Sequence, residues 1–171
     1  MMEKDKRIRV LVVDDSLFMR EFIASELSKD SGLVVVGKAA DPFEASEKIM
    51  ELNPDVMTLD IEMPRMNGIE FLRKLMPQYP LPVVVVSAVS SSVFDALNAG
   101  AVDFITKTEL KTDGEKRQFI SELVVKIKIA SIAKVGQHKN ASAKSQAAQK
   151  AAGGRGKKCL IAIGASTGGT E

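Results

Sequence analysis

Three aspartates and one lysine stand at the C-terminal ends of apolar runs. Asp14 and Asp15 follow Ile8-Arg9-Val10-Leu11-Val12-Val13, Asp60 follows Val56-Met57-Thr58-Leu59, and Lys107 follows Ala101-Val102-Asp103-Phe104-Ile105-Thr106. If these runs are parallel strands, all four side chains reach one sheet edge, where open α/β sheets place their ligands. Three carboxylates at close range raise one another's pKa and call for a cation. Mg2+ suits them, because it takes one or two protein carboxylates together with phosphate oxygens. One aspartate is then free to act as nucleophile toward phosphorus, while the metal and Lys107 neutralise the phosphoryl oxygens. Ser87, which ends Val83-Val84-Val85-Val86, is placed to donate a hydrogen bond to the same group. Singly, each residue has a plainer explanation as a helix cap, a surface charge or a turn residue. Their joint position, at the ends of strands one, three, four and five, points to phosphoryl chemistry.

The elements that must position them alternate in type. Strand-length apolar runs are expected at about Ile8 to Val13, Leu33 to Ala39, Val56 to Leu59, Val83 to Ser87 and Ala101 to Thr106. Amphipathic segments of helix length lie near Leu17 to Ser28, Pro42 to Leu52, Gly68 to Met76, Ser92 to Ala99 and Glu115 to Lys134. Alternation of this kind predicts an α/β fold, a five-stranded parallel sheet doubly wound with five helices. Punctuation agrees: Ser16 can cap the first helix, Asp41-Pro42 places a cap before a first-turn proline, Asn53-Pro54 ends the second helix, and Gly100 stops the fourth. The last segment carries Phe119, Ile120, Leu123, Val124, Ile127 and Ala130 on a stripe suited to packing on the sheet.

The net charge of +2 conceals two unlike segments. Residues 1–122 hold 15 basic and 21 acidic side chains, and residues 123–171 hold 9 and 1. The basic excess falls largely in a stretch, residues 136–158, rich in Ala, Ser, Gln, Gly and Lys and without acidic, aromatic or large aliphatic residues. Such a stretch cannot bury enough apolar surface to offset its ordering entropy, so a flexible basic linker is expected. No aromatic residue interrupts it to stack on bases, which argues against nucleic-acid binding. No apolar run reaches the roughly 20 residues of a membrane span, and the N-terminus lacks a signal-peptide core, so a cytoplasmic protein without membrane insertion is expected. Cys159 is the only cysteine, which excludes an internal disulfide.

From about Arg7 to Lys134 the chain resembles a response-regulator receiver domain of the flavodoxin-like, CheY-like fold. The resemblance rests on Val12-Val13-Asp14-Asp15-Ser16, Leu59-Asp60-Ile61-Glu62-Met63-Pro64-Arg65-Met66-Asn67-Gly68, Val86-Ser87-Ala88 and Ala99-Gly100-Ala101-Val102-Asp103-Phe104-Ile105-Thr106-Lys107. It implies that Asp60 is the phosphoacceptor for a histidine kinase. It further implies Mg2+ on Asp15 and Asp60, with Asp14 acting partly through water and the main-chain carbonyl of Glu62 completing the set. Lys107 would pair with the phosphoryl group, and Ser87 with Phe104 would form the switch that alters the neighbouring face. One departure is Thr108, where the family commonly has proline after a cis bond. A cis bond before a non-proline residue costs about 3 kcal/mol, so Lys107-Thr108 is expected to be trans.

Beyond the linker, Cys159-Leu160-Ile161-Ala162-Ile163 leads into Gly164-Ala165-Ser166-Thr167-Gly168-Gly169. A Gly/Ser-rich turn alone could cradle a phosphate, present a nucleophile or simply turn the chain. After a receiver and a linker, it resembles the start of a CheB-type chemotaxis protein-glutamate methylesterase. The expected divisions are a receiver over 1–135, the linker over 136–158, and the first strand and nucleophile turn of a truncated esterase domain over 159–171. Ser166 matches that family's catalytic serine, whose histidine and aspartate partners lie farther along. The full-length parent would then demethylate and deamidate side chains on methyl-accepting chemoreceptors, with its receiver docked on its own esterase domain until phosphorylated. His138, in the polar linker, is better suited to solvent than to catalysis. Residues 1–171 are therefore expected to lack esterase activity and to catalyse only their own phosphorylation and dephosphorylation. The alternative is a stand-alone receiver acting by protein binding. An aspartate-nucleophile phosphatase is disfavoured, since Asp60-Ile61-Glu62 lacks the second aspartate two residues on.

Overall fold

β1 (Ile8–Val13) is apolar at five of its six positions, as suits an interior strand of a parallel sheet covered on both faces. The computed structural model describes residues 7–133 and 135, apart from 89, 108 and 109. Along the chain follow α1 (Leu17–Leu27), β2 (Leu33–Ala39), α2 (Pro42–Leu52), β3 (Val56–Asp60), α3 (Gly68–Leu75), β4 (Val83–Ser87), a 3-10 turn (Ser90–Ser92), α4 (Val93–Asn98), β5 (Asp103–Thr106) and α5 (Asp113–Ser131). All strands are parallel, in the order β2-β1-β3-β4-β5. Strand order reverses between β1 and β3, the position at which doubly wound sheets open a crevice.

Alternation along the strands divides the core into two layers. Leu11, Val13, Met57, Leu59, Val83 and Val85 pack with Ala45, Ile49, Leu72 and Ala96 of α2, α3 and α4. Val10, Val12, Val56, Val84 and Val86 pack with Ile23, Leu27, Leu123 and Ile127 of α1 and α5. Both layers contain side chains with no exposed surface, each contributing about 1.5–3 kcal/mol by burial. Among the described residues no helix is long and apolar enough to cross a membrane.

Most expected boundaries stand within a residue or two. Ser16 caps α1 by accepting from the Met19 N–H at 3.4 Å, and Asp41 caps α2 by accepting from the Phe43 and Glu44 N–H groups at 2.9 Å. Asn53 ends α2 in the left-handed conformation, and Gly100 takes φ +112° after α4. Two elements differ more. β5 begins at Asp103 rather than Ala101, because the Ala101 N–H bonds the Ala96 carbonyl of α4 instead of a neighbouring strand. α5 begins at Asp113 and ends at Ser131, its start set by a capping box in which Thr112 and Glu115 satisfy each other's N–H groups. The fourth helix matches its expected range within a residue at each end, with Ser92 and Ala99 as its caps and a 3-10 turn before it. The expected linker, His138, Cys159 and Ser166 lie outside the described residues, as does Thr108 and with it the isomer of its peptide bond.

Asp60 ends β3, and the chain returns to start α3 at Gly68, whose N–H donates to the Ile61 carbonyl at 2.9 Å. A Cβ at Gly68 would lie 2.3 Å from the Asp60 carbonyl oxygen and 2.9 Å from the Ile61 Cα, backbone atoms that cannot move aside cheaply. Gly68→Ala is expected to destabilise the fold by about 1–3 kcal/mol in urea unfolding. Gly114→Ala is the matched control: its new Cβ meets nothing nearer than Thr112 Oγ1 at 3.8 Å. It should change stability by less than about 1 kcal/mol.

Candidate phosphoryl and cation site

The ends of β1, β3, β4 and β5 deliver the expected residues to one edge. Asp14 and Asp15 follow β1 directly, Asp60 is the last residue of β3, Ser87 the last of β4, and Lys107 follows β5. Register holds them level, with Val13 beside Leu59, Asp60 beside Val86 and Ser87 beside Thr106. The Lys107 N–H donates to the Ser87 carbonyl at 2.8 Å, extending the β4–β5 ladder by one rung.

At the centre, Lys107 Nζ lies 2.7 Å from Asp60 Oδ2 and 2.7 Å from Asp14 Oδ2. Asp14 and Asp60 are 1% and 3% exposed, so the ammonium counters two carboxylates that water hardly reaches. Asp14 Oδ1 accepts from the Ser16 N–H at 3.0 Å, and Asp60 Oδ1 from the Glu62 N–H at 3.2 Å. Burial pushes the Asp60 carboxyl above its ordinary value of 3.8, and the Asp14 charge adds to this; Lys107 and the Glu62 N–H oppose it without cancelling it. Burial works against the Lys107 charge too, but pairing with Asp14 and Asp60 outweighs it, and the ammonium titrates above its ordinary 10.5.

One oxygen from each of Asp14, Asp15 and Asp60 lies within 4.8 Å of the others. Asp15 is exposed and opens the group to solvent. Asp14 Oδ2 is buried and is met by the Lys107 ammonium at 2.7 Å. A clustered set of hard oxygens, three carboxylates facing one ammonium, fits a small divalent cation better than any further protein group. The Glu62 backbone is brought beside the cluster by its bond to Asp60.

Ser87 is buried at 4% exposure beside these groups. Phe104 is half-buried against the α2–α3–α4 layer, and Lys126 of α5 sits over its ring at 5.7 Å from the centroid. Lys126 also pairs with Asp103 at 3.0 Å, so one side chain engages two consecutive residues of β5. Sequence reasoning passed over Arg20. Its guanidinium Nη1 donates to the Asp14 carbonyl at 2.6 Å and reaches the Asp15 carbonyl at 3.4 Å. The available signal was a cation one helical turn into α1, directly behind the Asp-Asp pair.

Comparison with known proteins matches this geometry. Residues 10–117 match the family of the response regulator receiver domain. The chain is 54% identical to a protein-glutamate methylesterase/protein-glutamine glutaminase of Syntrophomonas wolfei, over 97% of this chain and 48% of that protein. It thus spans about half the length of the curated relatives it matches. Among solved structures, the response regulator domain of Thermotoga maritima CheB aligns with TM-score 0.70 and 44% identity, covering 75% of this chain and 99% of that one. A CheY in a CheX-CheY-BeF3-Mg complex from Borrelia burgdorferi aligns with TM-score 0.62 and 29% identity, covering 75% and 92%. With the Asp14, Asp15, Asp60 and Lys107 cluster at the sheet edge expected for it, the chain belongs to the response regulator receiver domain family and carries the receiver of a CheB-type chemotaxis response regulator.

Proposed function

We propose that Asp60 accepts a phosphoryl group from a chemotaxis histidine kinase, and that Asp14, Asp15, Asp60 and the Glu62 main-chain carbonyl hold the Mg2+ this needs. The observation that supports it best is Lys107 Nζ at 2.7 Å from both Asp60 and Asp14, within a group of three aspartates open to solvent on one side. Asp60 keeps one oxygen against Lys107 and the other against the Glu62 N–H, which orients the carboxylate before attack on phosphorus. Lys107 then follows the transferred oxygens as negative charge gathers there. Mg2+, when bound, neutralises the same oxygens as a hard Lewis acid. Ser87 supplies a hydroxyl to the phosphoryl group, and Phe104 responds at the neighbouring face.

The parent protein is proposed to be a methylesterase and glutaminase acting on methyl-accepting chemoreceptors, with Ser166 as its nucleophile. Support comes from the relatives of about twice this length and from the order of receiver, basic linker and Gly164–Gly169 turn. The divisions at 1–135, 136–158 and 159–171 belong to the same proposal. Residues 1–171 alone are expected to be phosphorylated without hydrolysing methyl esters, since the serine's catalytic partners come later in the family.

Two measurements check this. Incubation with acetyl phosphate and Mg2+ should add one phosphoryl group by intact mass, and Asp60→Asn should abolish it; a gain that survives this substitution removes the assignment. Stability in EDTA should separate the two charges by sign. Asp60 titrates above its ordinary value when folded, so stability falls as pH rises from 3.8 through the folded value. Asp60→Asn should therefore unfold at higher urea than wild type at neutral pH. Lys107 titrates above 10.5 when folded and contributes stability that is lost only in strong alkali. Lys107→Ala leaves two buried carboxylates without a cation, and should cost on the order of 3 kcal/mol at neutral pH and less in acid.

A further inference from the structure

Arg20 stands behind the acidic loop rather than in it. It is half-buried in the first turn of α1, and its own N–H makes the helical bond to the Ser16 carbonyl at 2.9 Å. From there the guanidinium turns back toward the end of β1, donating to the Asp14 carbonyl at 2.6 Å and approaching the Asp15 carbonyl at 3.4 Å. The main chain of both aspartates is thus tied to a helix that is itself packed on the sheet through Ile23 and Leu27. On the other side, the Asp14 N–H is tied to β2 through the Ala39 carbonyl at 3.1 Å, and Asp14 Oδ1 is turned by the Ser16 N–H. With those bonds made, Asp14 Oδ2 is the oxygen left facing the cluster.

We propose that Arg20 is a positioning residue for the metal site: by holding the carbonyls of Asp14 and Asp15, it sets the carboxylates of both at the spacing that binds a divalent cation. This rests on the assignment of the acidic cluster as a Mg2+ site. A guanidinium suits the task because Nη1, which makes both contacts, carries two N–H donors fixed in the guanidinium plane, where a lysine ammonium is a freely rotating point charge. The charge of Arg20 acts in the opposite sense, since a cation beside the cluster repels Mg2+. Removing Arg20 should tighten Mg2+ binding if its charge is what matters, and weaken it if its placement of the loop is what matters. Groups that orient metal ligands cost about 10- to 100-fold in affinity when lost.

The test is calorimetric titration of the 171-residue chain with Mg2+, for wild type, Arg20→Gln and Arg20→Lys, with thermal unfolding in EDTA alongside. Expected is a Mg2+ dissociation constant about tenfold weaker in Arg20→Gln, with Arg20→Lys between it and wild type. The midpoint in EDTA should stay close to wild type, and at saturating Mg2+ the phosphorylation rate with acetyl phosphate should be restored. An unchanged or tighter dissociation constant in Arg20→Gln overturns the proposal. If Arg20→Gln is unfolded in EDTA, Arg20→Lys decides in the same way, weaker binding supporting and equal binding overturning. Wild type that takes up no Mg2+ overturns the site assignment itself, a result distinct from any difference among the variants.

Discussion

One ammonium between two buried carboxylates governs this molecule. Lys107 cannot neutralise Asp14, Asp15 and Asp60 together, so the sheet edge retains excess negative charge that burial makes costly. Raised titration of Asp60 expresses that cost directly. A fold selected for stability alone would place apolar side chains here. The conflict instead leaves the edge with negative charge that the proposed Mg2+ would offset.

Such a conflict persists only if the backbone cannot relax away from it. Four strands converge in register on the site, and side chains with no exposed surface lock both faces of the sheet. Where the chain leaves the sheet, short-range bonds take over. Ser16 and Arg20 hold the β1 turn, while Asn67 caps α3 by accepting from the Ile69 N–H at 2.7 Å. Gly68 lets α3 begin against the Asp60 backbone, at a distance no Cβ would tolerate. Residues that hold the loops thus matter as much as those that carry the charge.

Much of this was legible in the sequence for a simple reason. A central parallel strand is apolar on both faces, so a polar residue at its end marks the sheet edge, and Asp14 after Val13 or Asp60 after Leu59 needs no structure to be noticed. Asp41-Pro42 and Asn53-Pro54 fixed α2 to the residue because caps and prolines act locally. Arg20 was only faintly legible: its place behind Asp14-Asp15 was a signal, but its partners are carbonyls and any residue has one. The Lys126 contact with Phe104 was equally hidden, because it joins residues 22 apart on a helix and a strand whose relative rotation no spacing records. The Thr112-x-x-Glu115 box was a readable signal, and it sets the start of α5 two residues before the amphipathic stripe suggested.

Communication from Asp60 to Phe104 is then a question of magnitudes. Phe104 lies three residues before Lys107 on an edge strand, beside Val85 of β4. What restrains it from the α5 side is Lys126, a partly exposed cation over the ring, worth about 0.5–1 kcal/mol. A phosphoryl group on Asp60 would bring about two negative charges. Each hydrogen bond from Lys107 or Ser87 to those oxygens is worth about 1.5–3 kcal/mol. A single such bond exceeds that cation–π contact, while the ring is held also by its half-buried packing against the α2–α3–α4 layer. Under the proposed chemistry, movement of Ser87 and Lys107 toward those oxygens would have to offset both the Lys126 contact and that partial burial to shift Phe104.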